Sequence, residues 1–271
     1  RALALPWIEP ELREDRGEIE AARAGNLPDL VEYGSIKGDL HVHTHWSEGA
    51  PSIEEMTAAA QALGYEYIAI CDHAETLHIA RGLSPERLVD QVREIERINR
   101  AADGGVTLLS GTECNIGMDG RIDLPDSILA DLDVVVASVH SGFKQPEREM
   151  TQRIITAMHN DHVDILGHPT GRILLSREPY RIDLAAVFDV AAALGVLLEI
   201  NAFPGRLDLS DVNCLSAREA NVRFSLGSDA HNRENLRYME FGVATARRGW
   251  LSANDIANTR SLEGLRRILR S

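Results

Sequence analysis

Residues 39–49, DLHVHTHWSEG, place three histidines within five positions and end beside an acidic residue, Glu48. A neutral imidazole is the commonest metal ligand, and carboxylates cap or bridge divalent ions. Side chains alternate along a strand, so the HxH spacing puts His41 and His43 on one face, where both can hold one ion. The same residue types then recur at the ends of short apolar runs: His73 in CDH, Glu113 in GTE, His140 in SVH, His168 in GHP, and Asp229 with His231 in SDAH. A lone histidine at a strand end is most often a hydrogen-bonded structural residue. Here, however, six of the ten histidines sit at such ends, while His45, His78, His159 and His162 fall in loops or helices. With Glu48, Glu113 and Asp229 the candidate ligands number nine, more than one ion can use with a position left for water, so two or three metals are implied.

Seven strand-like runs must position these groups: GDLHVH, YEYIAICDH, VTLLSGTE, DVVVASVH, VDILGH, VLLEIN and VRFSLGSDAH. Helical patterns lie between them at 52–63, 84–101, 183–194 and 211–220, several opened by a Ser or Asp suited to cap the first turn. Alternation of this kind implies a parallel sheet with crossover helices, either open or closed into a barrel. In a barrel the active site forms at the carboxyl ends of the strands, where six of the seven runs carry a ligand-type residue. Residues 1–35 read differently, with Pro, clustered charge and one short helical pattern near 18–24, and are expected to form a connector or wrapping arm before a domain at 36–271.

Composition bounds the function. At 271 residues, 44% hydrophobic and 26% charged, the chain is long enough for one large α/β domain. No apolar run approaches the roughly 18 residues of a membrane span and no signal-peptide core opens the chain, so a cytoplasmic location without membrane association is expected. The three cysteines, Cys71, Cys114 and Cys214, are odd in number and lack a CxxC spacing, which argues against a disulfide framework or a thiolate zinc site. A net charge of −14 argues against a long nucleic-acid footprint, although bound cations would invert the field locally.

The ordered motifs DLHVHT, CDH, GTE, SVH, GHP and SDAH resemble the PHP (polymerase and histidinol phosphatase) domain family over about residues 37–245. The resemblance implies a distorted (βα)7 barrel, TIM-like, with three divalent metals on His41, His43, Glu48, His73, Glu113, His140, His168, Asp229 and His231, and with Glu113 bridging two ions. The loop reads WSEG where close relatives read WSDG, so Glu48 stands where an Asp would supply the ligand. "EPELREDRGEIEAA", "DVVVASVHSGF", "VDILGHPTGR" and "FGVATARRGW" are further similar to the C-terminal PHP domains of bacterial family X DNA polymerases. That likeness implies a DNA-repair phosphoesterase: a 3′→5′ exonuclease, with 3′-phosphatase or abasic-site activity, acting beside the polymerase domains of a longer chain. The other readings are a small-molecule phosphatase of the histidinol-phosphate or phosphonucleotide type and a non-catalytic scaffold, the last disfavoured because every motif position keeps a ligand-capable residue.

Histidine-rich ligation suits Mn or Zn, and also Fe, better than Mg or Ca. Glu113, His140 and Asp229 are expected to serve catalysis through a metal-bound hydroxide that attacks phosphorus in line. Lys144, Arg172 and Arg206 follow the fourth, fifth and sixth strands, where loops would aim them at a substrate phosphate. Asp39 and Asp72 are placed to orient ligand imidazoles, and His45 is expected to stand behind the ligands or in solvent.

Overall fold

A computed structural model describes residues 5–269 apart from 75, 76, 78, 79 and 103; His78 therefore lies outside the described residues. Seven parallel strands follow one another in chain order: β1 (Gly38–Val42), β2 (Tyr67–Ile70), β3 (Thr107–Asn115), β4 (Val134–Ser138), β5 (Ile165–Leu166), β6 (Leu197–Asn201) and β7 (Phe224–Gly227). A short helix, α1 (Glu18–Ala24), precedes them; α2 (Ile53–Ala62), α3 (Pro85–Ala101), α4 (Asp126–Leu129), α5 (Glu147–Met158), α6 (Leu184–Leu194) and α7 (Asp211–Glu219) make the crossovers, and α8 (Met239–Arg248) and α9 (Leu262–Arg266) follow. This is the distorted (βα)7 barrel expected from the motif order.

Local chemistry explains the element boundaries. Ser52 opens α2 with a capping box: its hydroxyl accepts from the Glu55 N–H at 3.2 Å, and the Glu55 carboxylate accepts from the Ser52 N–H at 2.9 Å. Ser84 caps α3 with Pro85 in the first turn, and Asp183 caps α6, which Gly195 ends in the left-handed conformation at φ 76°. The strand β4 is buried along its whole length, as a parallel strand covered on both faces must be, which is why VVVA reads as a continuous apolar run. Leu40, Tyr67, Ala69, Leu109, Val134, Val136, Ile165 and Leu197 meet in one cluster with Leu265 of α9 and form the packed lumen below the site.

The barrel closes by a different means from its other joints. Each consecutive strand pair shares a backbone ladder, whereas β1 and β7 meet in a single bridge, Val42 with Ala230, among the described residues. Side chains stitch the rest of the seam. The Asn258 amide donates to the Gly38 carbonyl at 2.8 Å and the Leu226 carbonyl at 2.9 Å, and its oxygen accepts from the Leu226 N–H at 2.7 Å. One step higher, Asp39 Oδ1 accepts from the backbone N–H groups of His41 and Ser228, each at 3.1 Å. The register of β1 also shifts between Asp39 and Val42, an irregularity of the kind that re-aims a side chain.

Residues 5–35 pack onto the barrel. Leu12 and Val31 are buried, and ion pairs fasten the segment to α7 and α8: Arg247 to Glu11 at 2.6 Å, Arg248 to Glu14 at 2.6 Å, and Arg16 to Asp211 at 3.0 Å.

Candidate metal centre

The nine candidate ligands converge at the carboxyl ends of the strands. Glu113, at the end of β3, is the hub. Its Oε1 lies 2.9 Å from His168 Nε2 and 3.2 Å from His140 Nε2, and its Oε2 lies 3.0 Å from His73 Nδ1, 3.4 Å from His41 Nε2 and 3.7 Å from His43 Nε2. Glu48 links the outer pair, with one oxygen 3.1 Å from His73 Nε2 and 3.0 Å from His231 Nε2. Asp229 Oδ1 stands 3.2 Å from His43 Nε2. Three triads have ligand atoms within 4.8 Å of one another: His43, His73 and His231; His41, His43 and Glu113; and His73, Glu113 and His140. The extra methylene of Glu48 thus carries its carboxylate into the cluster.

Backbone strain accompanies this convergence. His168 and Asp229 both have positive φ, 28° and 54°, a conformation that costs a non-glycine residue and persists where surroundings enforce it. Gly227 is required for a different reason: a Cβ there would stand 2.4 Å from Glu199 Oε1 and 2.5 Å from the His41 Cβ. Its bare backbone lets Glu199 reach His41.

Glu199 was not among the residues singled out from sequence. It is buried on β6, its Oε1 lies 2.6 Å from His41 Nδ1, and its Oε2 accepts from the His168 N–H at 2.6 Å. One carboxylate therefore sets the ring of a candidate ligand on β1 and the backbone of another just after β5. Asn201, two residues on and on the same face, donates to Asp229 Oδ2 at 3.1 Å. The available signal was an acid and an amide at alternate positions in the apolar run VLLEIN. Arg153 of α5 was missed too: it donates to the Ser141 carbonyl at 2.9 Å, just after His140, and to the Ile116 carbonyl just after β3.

The weaker expectations are redistributed. Asp39 holds backbone amides across the seam, and Asp72 accepts from the Thr44 N–H at 2.8 Å, the Thr44 hydroxyl at 2.6 Å, the Ser47 hydroxyl at 2.5 Å and the Gln91 amide at 2.6 Å. Both therefore hydrogen-bond to main chain, hydroxyl and amide groups rather than to imidazoles, because each points along the backbone of β1 or its following loop. Arg172 directs its guanidinium to the carbonyls of Arg206 (2.9 Å) and Leu207, joining the loops after β5 and β6. Lys144 is exposed, and His45 is exposed beside Trp46. Arg206 does face the cluster, with Nε 3.3 Å from Asp229 Oδ2.

Electrostatics show how unusual the cluster is. Burial and the surrounding imidazoles press His43 down to about 3, whereas at His73 burial is outweighed by Glu113 and Glu48, which lift it to about 10. Burial would raise Glu113, but His140, His73 and His41 hold it well below the usual carboxylate range. Hydrogen bonds from His231 and His73 lower Glu48.

The donor set fits a group of divalent ions. Buried ring nitrogens of His43 (Nδ1), His140 (Nδ1) and His168 (Nδ1) have no hydrogen-bond partner among the described residues, while the nitrogens facing Glu113 and Asp229 crowd around shared carboxylate oxygens. An unpartnered buried donor or acceptor normally costs 1–3 kcal/mol or so, and bound cations would satisfy such nitrogens around shared carboxylates.

Residues 39–203 match the PHP domain model. The chain is 43% identical over 266 residues to the DNA polymerase/3′-5′ exonuclease PolX of Bacillus subtilis (strain 168), covering 98% of this chain and 46% of that protein, so it spans about half the relative's length. It is 31% identical over 236 residues to a "Probable phosphatase" of Thermoanaerobacter sp. (strain X514), covering 82% of this chain and 89% of the other. Among solved structures, the histidinol phosphate phosphatase of Lactococcus lactis, complexed with Zn, L-histidinol and phosphate, superposes with a TM-score of 0.57 at 17% identity over 80% of this chain and 95% of that one, a likeness of fold. Geometry, motif order and these similarities agree: the chain belongs to the PHP domain family and is a metal-dependent hydrolase of phosphate esters.

Proposed function

We propose that this phosphoesterase acts on DNA ends, removing nucleotides in the 3′→5′ direction or a phosphate from a 3′ terminus. The observation that carries the reading is the Glu113 hub with its five imidazoles, in a chain similar along 98% of its length to a polymerase–exonuclease. In this reading His41, His43, Glu48, His73, Glu113, His140, His168, Asp229 and His231 hold the metals, Mn or Zn by preference, and residues 1–35 connect a phosphoesterase domain at 36–271 to polymerase domains. The likeness to phosphatases of similar length supports a second reading, hydrolysis of a small phosphomonoester.

Bound divalent ions supply two things, a water acidified toward pH 7 and charge stabilisation on the phosphoryl oxygens. The protein supplies the rest. Glu113 stays ionised between imidazoles and fixes their spacing. Glu199 orients His41 through Nδ1, leaving Nε2 toward the cluster. Asn201 and Arg206 hold Asp229 from one side, and the guanidinium of Arg206 meets the substrate phosphate. Most of the ligand set is buried, and the cluster opens to solvent beside Glu48 and His231.

The test pairs an end-labelled oligonucleotide with phosphate release from small esters, in Mn2+, with His41→Ala as control. Shortening from the 3′ end, absent in His41→Ala, is expected. Turnover of small esters with intact DNA would replace this reading with the phosphatase one.

A further inference from the structure

A row of three aromatic rings begins beside the metal cluster, at Phe203. Phe203, directly after β6, is 36% exposed, and Phe241 of α8 is 40% exposed. Tyr238 lies between them, its ring 5.8 Å from that of Phe203, edge to face, and 6.1 Å from that of Phe241. Phe203 and Tyr238 line a cleft of about 550 Å³ together with Glu48, Arg206, Asp229 and His231, so the rings and the ligands share one open space. That volume falls within the roughly 300–1,000 Å³ of small-molecule sites.

The rings are held in register with the chemistry. The Phe203 N–H donates to Asn201 Oδ1 at 3.1 Å, and the same Asn201 donates through Nδ2 to Asp229 Oδ2. A tight turn then brings the N–H groups of Arg206 and Leu207 to the Phe203 carbonyl, at 2.8 and 3.0 Å. This places the Arg206 guanidinium in the same cleft, with a buried Nη1 that lacks a hydrogen-bond partner among the described residues. Tyr238 ends a 3-10 turn, 233–238, and Asn235 in that turn accepts from the His231 N–H at 3.3 Å. Phe203 is thus two hydrogen bonds from Asp229, and Tyr238 shares the turn whose Asn235 bonds to His231.

We infer that Phe203 and Tyr238 form a stacking platform for the unpaired nucleobase adjoining the phosphate under attack, with Arg206 taking that phosphate. The inference rests on the DNA-end reading and narrows it: the substrate is a single-stranded or frayed terminus, since a base must leave its stack to lie on a ring. Stacking tolerates every base because each has a π-face, so the platform gives affinity without sequence preference.

The experiment measures KM and kcat for a 5′-labelled single-stranded oligonucleotide in Mn2+, with metal content per chain, for the wild type, Phe203→Ala and Phe203→Trp. Phe203→Ala is expected to raise KM about 10-fold or more at full metal content, with kcat changed less than about 3-fold, and Phe203→Trp to restore KM. The added Trp fluorescence of Phe203→Trp, taken against wild type, is expected to be quenched by deoxyadenosine monophosphate and not by inorganic phosphate. An unchanged KM in Phe203→Ala, or a loss of metal and kcat together, overturns the platform while the DNA reading stands on wild-type activity. If the wild type leaves the oligonucleotide intact, the DNA-end reading falls, and quenching by the nucleotide alone then decides for or against the platform.

Discussion

At the strand ends, one carboxylate, Glu113, lies within 3.7 Å of five imidazoles, and the Nδ1 atoms of His43, His140 and His168 are buried without a hydrogen-bond partner among the described residues. Where residues 5–35 meet α7 and α8, the charges are arranged the other way: Arg16 and Arg248 both reach Asp211 at 3.0 Å, Arg248 also reaches Glu14, and Arg247 reaches Glu11 at 2.6 Å and the Val31 carbonyl at 2.8 Å. The second region balances each acid with a guanidinium and is finished by the protein alone. The first has the donors that bound cations would complete. Buried charge is therefore informative about function only when its partners are counted.

Three changes probe that contrast. The largest effect is expected from Glu113→Gln, which removes the hub: phosphoesterase activity should fall on the order of a thousand-fold, with loss of bound metal by elemental analysis. A chain that keeps full metal and activity would remove Glu113 from the centre of the site. Glu199→Gln tests a residue that touches ligands rather than substrate. Metal affinity should weaken about 10- to 100-fold in a chelator competition, and excess metal should restore activity; unchanged affinity would leave Glu199 as a packing residue only.

The smallest effect belongs to the clasp. Asp211→Asn should lower stability by about 1–2 kcal/mol, or Tm by a few degrees, at unchanged metal content. The pH dependence has a definite sign. Burial opposes ionisation of Asp211, but Arg16 and Arg248 outweigh it and lower its folded value below the ordinary 3.8. A depressed acid stabilises the fold fully above its unfolded value and loses that contribution as pH falls through the folded one. The Tm gap between wild type and Asp211→Asn should therefore be full above about pH 5 and shrink below about pH 4. A gap that grows on acidification would contradict the ion-pair account.

Sequence patterns carried the strands well, because a buried parallel strand must be an apolar run, and they marked the run ends at which the candidate ligands converge. The motif order also carried the family. What sequence hid was aim. Arg172 and Arg206 follow consecutive strands and look equivalent, yet Arg172 staples two loops and Arg206 faces Asp229. Asp39 and Asp72 neighbour ligands and nevertheless bond to amides and hydroxyls. His168 and Asp229 take left-handed backbone conformations that spacing alone does not reveal. Glu199 was hidden because it acts across the barrel on His41, a contact that exists only once β6 and β1 are folded opposite Gly227.

The closing seam between β1 and β7 has a mechanical consequence. Six joints of the hoop are strand ladders, whereas this one is closed by a single bridge and by the side chains of Asn258 and Asp39. The two strands on either side of it are the ones that carry His41, His43, Asp229 and His231. A cation held from both sides would act as a rivet across that joint, so the ions that serve hydrolysis would also help to hold the hoop shut.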